Sequence, residues 1–307
     1  MTENTITAMQ LVKEYGHRTA VAGINLVVDR GRCVGIVGRN GAGKSTTMRM
    51  LTTVTRPTSG SLRIFGLDPL RRSREIKRRL GVVPQSNTLD DDLTAVQNLE
   101  IYGRYFGADR RQSQHAAREA LEFAQLSDRA NDDVSTLSGG MKRRLTIARA
   151  TVNDPDLILM DEPTAALDAQ TKHLVWTALG DLCLLGKTVL LMSHDMEEVQ
   201  MLCDYVYIME EGRFIAEGRP CELIERYCRP ARLDVVIDQP GSVDWNALLE
   251  DASVEVNRTA RGVAIEVDNG QRALELLRSS PASYVASTLR PTTLEDVYLR
   301  ITGRSAD

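Results

Sequence analysis

Three short groups of residues have the types and spacing for chemistry on a phosphorylated substrate. The most specific is Gly38-Arg39-Asn40-Gly41-Ala42-Gly43-Lys44-Ser45, followed at once by Thr46. It fits Gly-x-x-x-x-Gly-Lys-Ser, in which glycines let successive backbone N–H groups turn inward around phosphate oxygens. Lys44 would reach the β- and γ-phosphates of a nucleotide, and the Ser45 hydroxyl would ligate Mg²⁺. The second group is Asp161-Glu162, two adjacent carboxylates suited to hold a metal ion and to polarise an attacking water. His194 is suited to contact the terminal phosphate. Taken alone, Asp161-Glu162 also reads as a loop start and His194 as a core histidine. The third group is Ser138-Gly139-Gly140, which opens a helix and so makes a second anion-binding terminus. A plain N-cap is the competing reading. Because a single nucleotide already has its cradle at Gly38 to Ser45, a second cradle points to a nucleotide held by another chain.

Elements that can position these groups are legible around them. Four apolar runs each end in polar chemistry: Cys33 to Val37 at Gly38, Leu80 to Val83 at Pro84-Gln85, Leu157 to Met160 at Asp161, and Thr188 to Met192 at Ser193-His194. Continuous apolar runs of this length are the pattern of buried parallel strands, and ligands bind beyond the carboxyl ends of such strands. Thr47 to Leu51 continues the phosphate loop as a helix. Ahead of it, Ile6 to Val12 and Ala20 to Val28 read as strands, with Tyr15 placed either to stack on a base or to pack a sheet edge. From about 86 to 150 the periodicity is helical, with Ala117, Leu121 and Ala124 on one stripe. Further helices follow at Leu174 to Leu182 and Met196 to Leu202, then a hairpin around Glu211-Gly212. A boundary is expected near Arg229-Pro230. Beyond it the pattern is strand (Arg232 to Asp238), helix (Asp244 to Glu250), two strands (Val254 to Arg258 and Val263 to Val267), helix (Gln271 to Arg278), strand (Tyr284 to Leu289) and closing helix (Thr293 to Ile301). That is a βαββαβ, ferredoxin-like order.

Composition narrows the function classes. The charge is −4, and residues from Ala231 onward hold 8 Lys+Arg against 12 Asp+Glu, leaving residues 1 to 230 balanced at 30 against 30. No global basic field points to nucleic acid. Arg71 to Arg79 is a local basic run, either a solvated helix face or a contact for lipid headgroups or an acidic partner. The five cysteines are odd in number and scattered, which suggests neither a disulfide framework nor a zinc site. Neither a secretory signal nor a membrane-spanning stretch is visible, so membrane spans would come from another chain.

With every motif in order over about residues 5 to 220, the chain closely resembles the ATP-binding subunits of ABC transporters. Gly38 to Thr46 resembles the Walker A loop, Gln85 the Q-loop glutamine, Leu137-Ser138-Gly139-Gly140-Met141 the signature, Leu157 to Glu162 Walker B, Ala166-Leu167-Asp168 the D-loop and His194 the switch histidine. Tyr15 falls where the adenine-stacking aromatic belongs. The resemblance implies an α/β P-loop NTPase (RecA-like core, antiparallel β subdomain, helical insertion) over 1-229, with a small accessory domain over 230-307. It implies two ATP molecules with Mg²⁺ sandwiched in a head-to-tail dimer, each between Walker A of one subunit and the signature of the other. Glu162 would be the catalytic carboxylate, His194 the γ-phosphate contact, Asp161 and Ser45 the metal ligands, and Gln85 a metal contact and the lever to an integral-membrane permease at the cytoplasmic face. Leu-Ser-Gly-Gly-Met-Lys-Arg-Arg, with the closing Pro291 to Tyr298 and Thr302-Gly303-Arg304, resembles drug-resistance and nodulation-factor (lipo-oligosaccharide) export ATPases. Ala166 replaces the usual D-loop Gly, restricting φ > 0. An importer subunit, or a soluble relative acting on nucleic acid or ribosomes, is the alternative.

Overall fold

The computed structural model describes residues 4–237, 244–249, 256–259, 261–280 and 284–303. Contacts divide the chain into two compact units, Met1–Glu217 and Gly218–Asp307. The first is built on β1 (Asn4–Tyr15), β2 (Arg18–Asp29), β3 (Cys33–Val37), α1 (Lys44–Leu51), β4 (Ser59–Ile64), α2 (Pro69–Arg78) and β5 (Leu80–Val83). It continues with α3 (Ala95–Tyr105), α4 (Arg110–Phe123), α5 (Gly139–Arg149), β6 (Leu157–Asp161), α6 (Ala169–Leu184), β7 (Thr188–Ser193), α7 (Met196–Leu202), β8 (Tyr205–Glu210) and β9 (Arg213–Gly218).

The four apolar runs are parallel strands of one sheet, ordered β5-β6-β7-β3-β8-β9. All five residues of β3 and all six of β7 are buried, as strands covered on both faces require. The sheet therefore delivers Gly38, Pro84, Glu162 and His194 to the same edge. β7 lies between β6 and β3 and locks them together at that edge: the Gly38 N–H donates to Ser193 O at 3.3 Å and the Glu162 N–H to Met192 O at 2.8 Å. The β8–β9 hairpin turns at Glu211 and Gly212, both at positive φ (47° and 80°), the signature of a type I′ turn.

A three-stranded antiparallel sheet, β2-β1-β4, packs its inward face on the same core, where Ile6, Leu11, Leu26 and Ile64 meet Met50, Leu51, Leu159 and Leu190. The helical insertion has a separate core, with Leu99, Ala117, Leu121 and Leu145 at its centre. Thr94 and Asp109 close capping boxes that start α3 and α4.

Three of the scattered cysteines meet beneath β3. Cys33 Sγ lies 3.7 Å from Cys203 Sγ, and Cys183 bonds to Cys33 as well. The bond to Cys183 draws the Cys33 thiol down, but Cys203 and burial outweigh it and the thiol titrates well above its usual range. Cys183 is driven up by its bond to Cys33 and by burial. The Cys33 and Cys183 thiols therefore stay protonated, and the buried Cys33 and Cys203 pack as small apolar groups.

The second unit comprises α8 (Pro220–Tyr227), β10 (Ala231–Val236), α9 (Trp245–Leu248), β11 (Val256–Thr259), β12 (Gly262–Val267), α10 (Gly270–Ser279), β13 (Ala286–Pro291) and α11 (Leu294–Thr302). Its sheet is antiparallel throughout, in the order β11-β12-β10-β13, the ferredoxin-like arrangement read from the sequence. One face is apolar, with Leu233, Val235, Ile265 and Trp245 buried together with Leu277 of α10. Asp296 of α11 is 2% exposed and pairs with Arg232 of β10 and Arg290 of β13. α8 packs on α11, so this unit takes in the segment ahead of Arg229-Pro230. The expected strand end at Asp238, helix end at Glu250, strand start at Val254-Glu255, and Arg304 lie outside the described residues.

Gly35 lets α7 approach the sheet, since a Cβ there would stand 2.6 Å from Val199 Cγ1 and 2.9 Å from Cys203 Sγ. Gly35→Ala should destabilise the protein by about 1–3 kcal/mol through overpacking, read as a lower urea midpoint at unchanged m.

Candidate nucleotide site

A cavity of about 410 Å³ opens over the phosphate loop, and Tyr15, Asn40, Gly43 to Thr46, Gln85 and Glu162 are among its lining residues. Gly43 has φ 115°, and a Cβ there would stand 2.6 Å from Ala20 O, so only glycine keeps this turn at the head of α1. At Gly38 a Cβ would lie 2.2 Å from Met209 O. The loop is thus pressed against β8, and the Gly212 N–H donates to Ala42 O at 2.8 Å. The N-terminus of α1 faces the cavity with its backbone donors and the positive end of its dipole.

Lys44 is 5% exposed and curls back over the loop, donating to Gly38 O at 2.6 Å and Arg39 O at 3.2 Å. Its Nζ also lies 3.4 Å from Glu162 Oε1. The other carboxylate oxygen, Glu162 Oε2, is 2.5 Å from His194 Nδ1 and accepts the His194 N–H at 3.3 Å. Glu162 itself sits at φ 50°, a left-handed conformation costing a β-carbon-bearing residue about 1–2 kcal/mol.

Asp161 is pushed above the usual carboxylate range by burial first and by the Glu162 charge second, with Lys44, the Ser45 hydroxyl and Arg143 pulling it back. Its Oδ1 is buried without a hydrogen-bond partner. An unsatisfied buried carboxylate oxygen beside a serine hydroxyl fits a hard divalent cation such as Mg²⁺, which takes one carboxylate together with hydroxyl and phosphate oxygens. Among the described residues no cluster of three or more His, Cys, Asp or Glu is placed to hold a metal ion.

The Tyr15 ring is 46% exposed, with Lys13 Nζ 4.9 Å from its centroid, and it borders the cavity as base stacking would need. Ser138, Gly139 and Gly140 do not line this cavity. Ser138 caps α5 by accepting the Met141 N–H at 3.3 Å, and it stays exposed. Asp168 is not among the lining residues either. It is the N-cap of α6, bonded to the Thr171 N–H at 2.9 Å and hydroxyl at 2.7 Å, and those bonds hold its carboxyl below the usual range. Ala166 takes φ 61° although a side chain disfavours it, so the alanine stores strain where glycine would not.

Two further residues organise the site. Arg143, third in the Met141-Lys142-Arg143-Arg144 run, is buried, and that burial brings its guanidinium down to about 10 against the opposing pull of Glu198, Asp161 and Glu162. Glu198 is fully buried in α7. It accepts from Thr164 Oγ1 at 2.8 Å, Trp176 Nε1 at 3.3 Å and Ser193 Oγ at 2.6 Å, so it braces the segments on either side of the Glu162–His194 pair. Burial raises its carboxyl, partly offset by the Ser193 and Thr164 bonds. In the sequence Glu198 is an acid in the first turn of a helix capped by Asp195, which carries no signal of its burial.

Asp161 has a folded-state pKa raised above its unfolded one, so its ionised form costs stability once pH rises through the folded value. Asp161→Asn should raise the melting temperature of the ligand-free protein at pH 8. The gain should shrink as pH falls into the carboxylate range, and melting curves at both ends of that range check the sign.

Residues 21–165 match the family model described as ABC transporter. The Nod factor export ATP-binding protein I of Paraburkholderia xenovorans is 43% identical over 99% of both chains. That of Ralstonia nicotianae is 41% identical over 96% of this chain and 92% of its own. Among solved structures, an ATP-binding cassette in a dimeric post-hydrolysis state with ADP and Pi aligns with a TM-score of 0.64 at 29% identity, covering 70% of this chain and 98% of its own. The cbiO1 subunit of a Clostridium perfringens ABC transporter complex aligns at 0.68 and 26%, covering 73% and 91%.

Proposed function

This chain belongs to the ATP-binding subunits of ABC transporters, and from that premise we propose that it powers export of a lipo-oligosaccharide or comparable amphiphile through a separate membrane permease. Its reaction is ATP hydrolysis. The observation that carries the export reading is identity above 40% to Nod factor export proteins along nearly the whole chain, second unit included. No helix among the described residues is long and apolar enough to cross a membrane, which agrees with spans supplied by a partner. The nucleic-acid or ribosome reading lacks support in a chain with one phosphate loop and an evenly charged first unit.

In this reading the triphosphate enters over Gly41 to Thr46, where Lys44 exchanges its loop carbonyls for β- and γ-phosphate oxygens. Tyr15 stacks on the base. Ser45 and Asp161, with Gln85 just beyond the end of β5, would hold Mg²⁺, and the ion when bound would supply charge neutralisation at the phosphates as ADP departs. Glu162, already aimed by His194, accepts a proton from the attacking water, and the His194 imidazole turns to the γ-phosphate. Ser138 to Gly140 close the site of a second copy of the chain, whose own signature closes this one, and Asp168 lies next to that junction. A homodimer of this kind is supported by the dimeric state of the aligned cassette and by signature residues that do not line their own chain's cavity. Residues 230-307 serve as an accessory domain in this scheme.

Glu162→Gln should bind ATP normally, accumulate as a dimer in size-exclusion chromatography and lose about 10²–10⁴-fold in kcat; turnover at the wild-type rate would refute the assigned role. Lys44→Ala should lose ATP-dependent dimerisation as well as hydrolysis. For transport, ATPase activity of the chain reconstituted with its permease in vesicles should rise with added lipo-oligosaccharide and not with the same oligosaccharide lacking its lipid; equal response to both would overturn the amphiphile reading.

A further inference from the structure

Arg143 lies five residues into the segment that Ser138 begins, a little over one helical turn, or about 7.5 Å along the axis. It is 3% exposed. Its guanidinium donates to five main-chain carbonyls belonging to two other segments. Nε reaches Pro163 O at 2.6 Å, and Nη2 reaches Glu162 O at 2.9 Å and Asp161 O at 3.2 Å. Nη1 reaches Pro84 O at 2.6 Å and Gln85 O at 3.3 Å. In an extended strand successive carbonyls alternate in direction. Three in a row converge on one cation here because the backbone turns into the left-handed region at Glu162. The planar fork of arginine suits that convergence, whereas a lysine ammonium is a single point with three donors.

We infer that Arg143 is a positioning residue which fixes the backbone turn that aims the Glu162 carboxylate, and which ties both that turn and the Gln85 segment to the position of α5. The inference rests on the two-copy site proposed above. A nucleotide held by the partner subunit engages Ser138 to Gly140 at the head of α5. Through Arg143 that engagement reaches the same chain's own hydrolytic carboxylate and its own Gln85, so each copy's two half-sites are linked by one side chain. Arg144, the next residue, instead donates to Ala124 O inside the helical subdomain and takes no part.

The test compares full-length Arg143→Lys, Arg144→Lys and Glu162→Gln with the wild type for ATP affinity, KM, kcat per folded protein and melting temperature. With Arg143→Lys, ATP affinity and KM should stay within about threefold while kcat falls at least about tenfold, the pattern of an interaction used in the transition state. Arg144→Lys should keep wild-type kcat. A merely structural role would lower the melting temperature of Arg143→Lys with kcat per folded molecule unchanged, and that result overturns the inference. If Arg143→Lys is insoluble, Arg143→Gln carries the same comparison, and loss of soluble protein in both assigns Arg143 to fold stability and also overturns it. Wild-type turnover by Glu162→Gln would mark failure of the underlying site reading, separately from anything Arg143 does.

Discussion

The nucleotide end of this molecule depends on a buried ion pair, Lys44 with Glu162, each about 5% exposed. Two charges taken out of water are tolerated only where further hydrogen bonds satisfy them. Here Lys44 has two loop carbonyls and Glu162 has both the ring and the backbone N–H of His194. The two charges follow strands that are not neighbours, Lys44 opening α1 after β3 and Glu162 coming directly after β6. β7 lies between those strands, and the histidine that follows it bonds to the glutamate of the pair. The strand order of the sheet is therefore a condition of the chemistry, and any slippage of β7 would take the His194 bonds away from Glu162. The pairing also explains how a left-handed glutamate persists, because its side-chain bonds and the carbonyls it redirects both offset the backbone cost.

Much of this was legible in the sequence because it rests on side-chain type and period. Buried parallel strands announce themselves as apolar runs, and the polar residues ending them mark the ligand edge. The phosphate loop, the acid pair and the hairpin at Glu211-Gly212 fell where their spacing places them. The ferredoxin-like order was readable too, from alternation and turn residues.

The rest was hidden for identifiable reasons. Arg143 acts through main-chain carbonyls, which every residue carries, so no spacing rule singles it out from its neighbours in a basic run. Glu198 is invisible for the opposite reason: an acid in the first turn of a helix reads as a favourable surface charge until tertiary packing buries it against Thr164 and Ser193. Ala166 illustrates a third case. Its side chain argues against positive φ, and the surrounding turn imposes positive φ regardless. In the second unit, Asp296 is the N3 acid that caps α11 and also bonds across the sheet to Arg232 and Arg290, a second role its position in the helix does not announce.

The cysteines carry a practical consequence. Three of the five are packed under β3 with thiols held in their protonated form or shielded from solvent, and Cys228 is raised by burial to about 12. Cys221 alone is exposed. Since maleimides and similar electrophiles react with an accessible thiolate, the natural chain offers one addressable handle near the start of its second unit, where a fluorophore or spin label can be attached without first removing the other four.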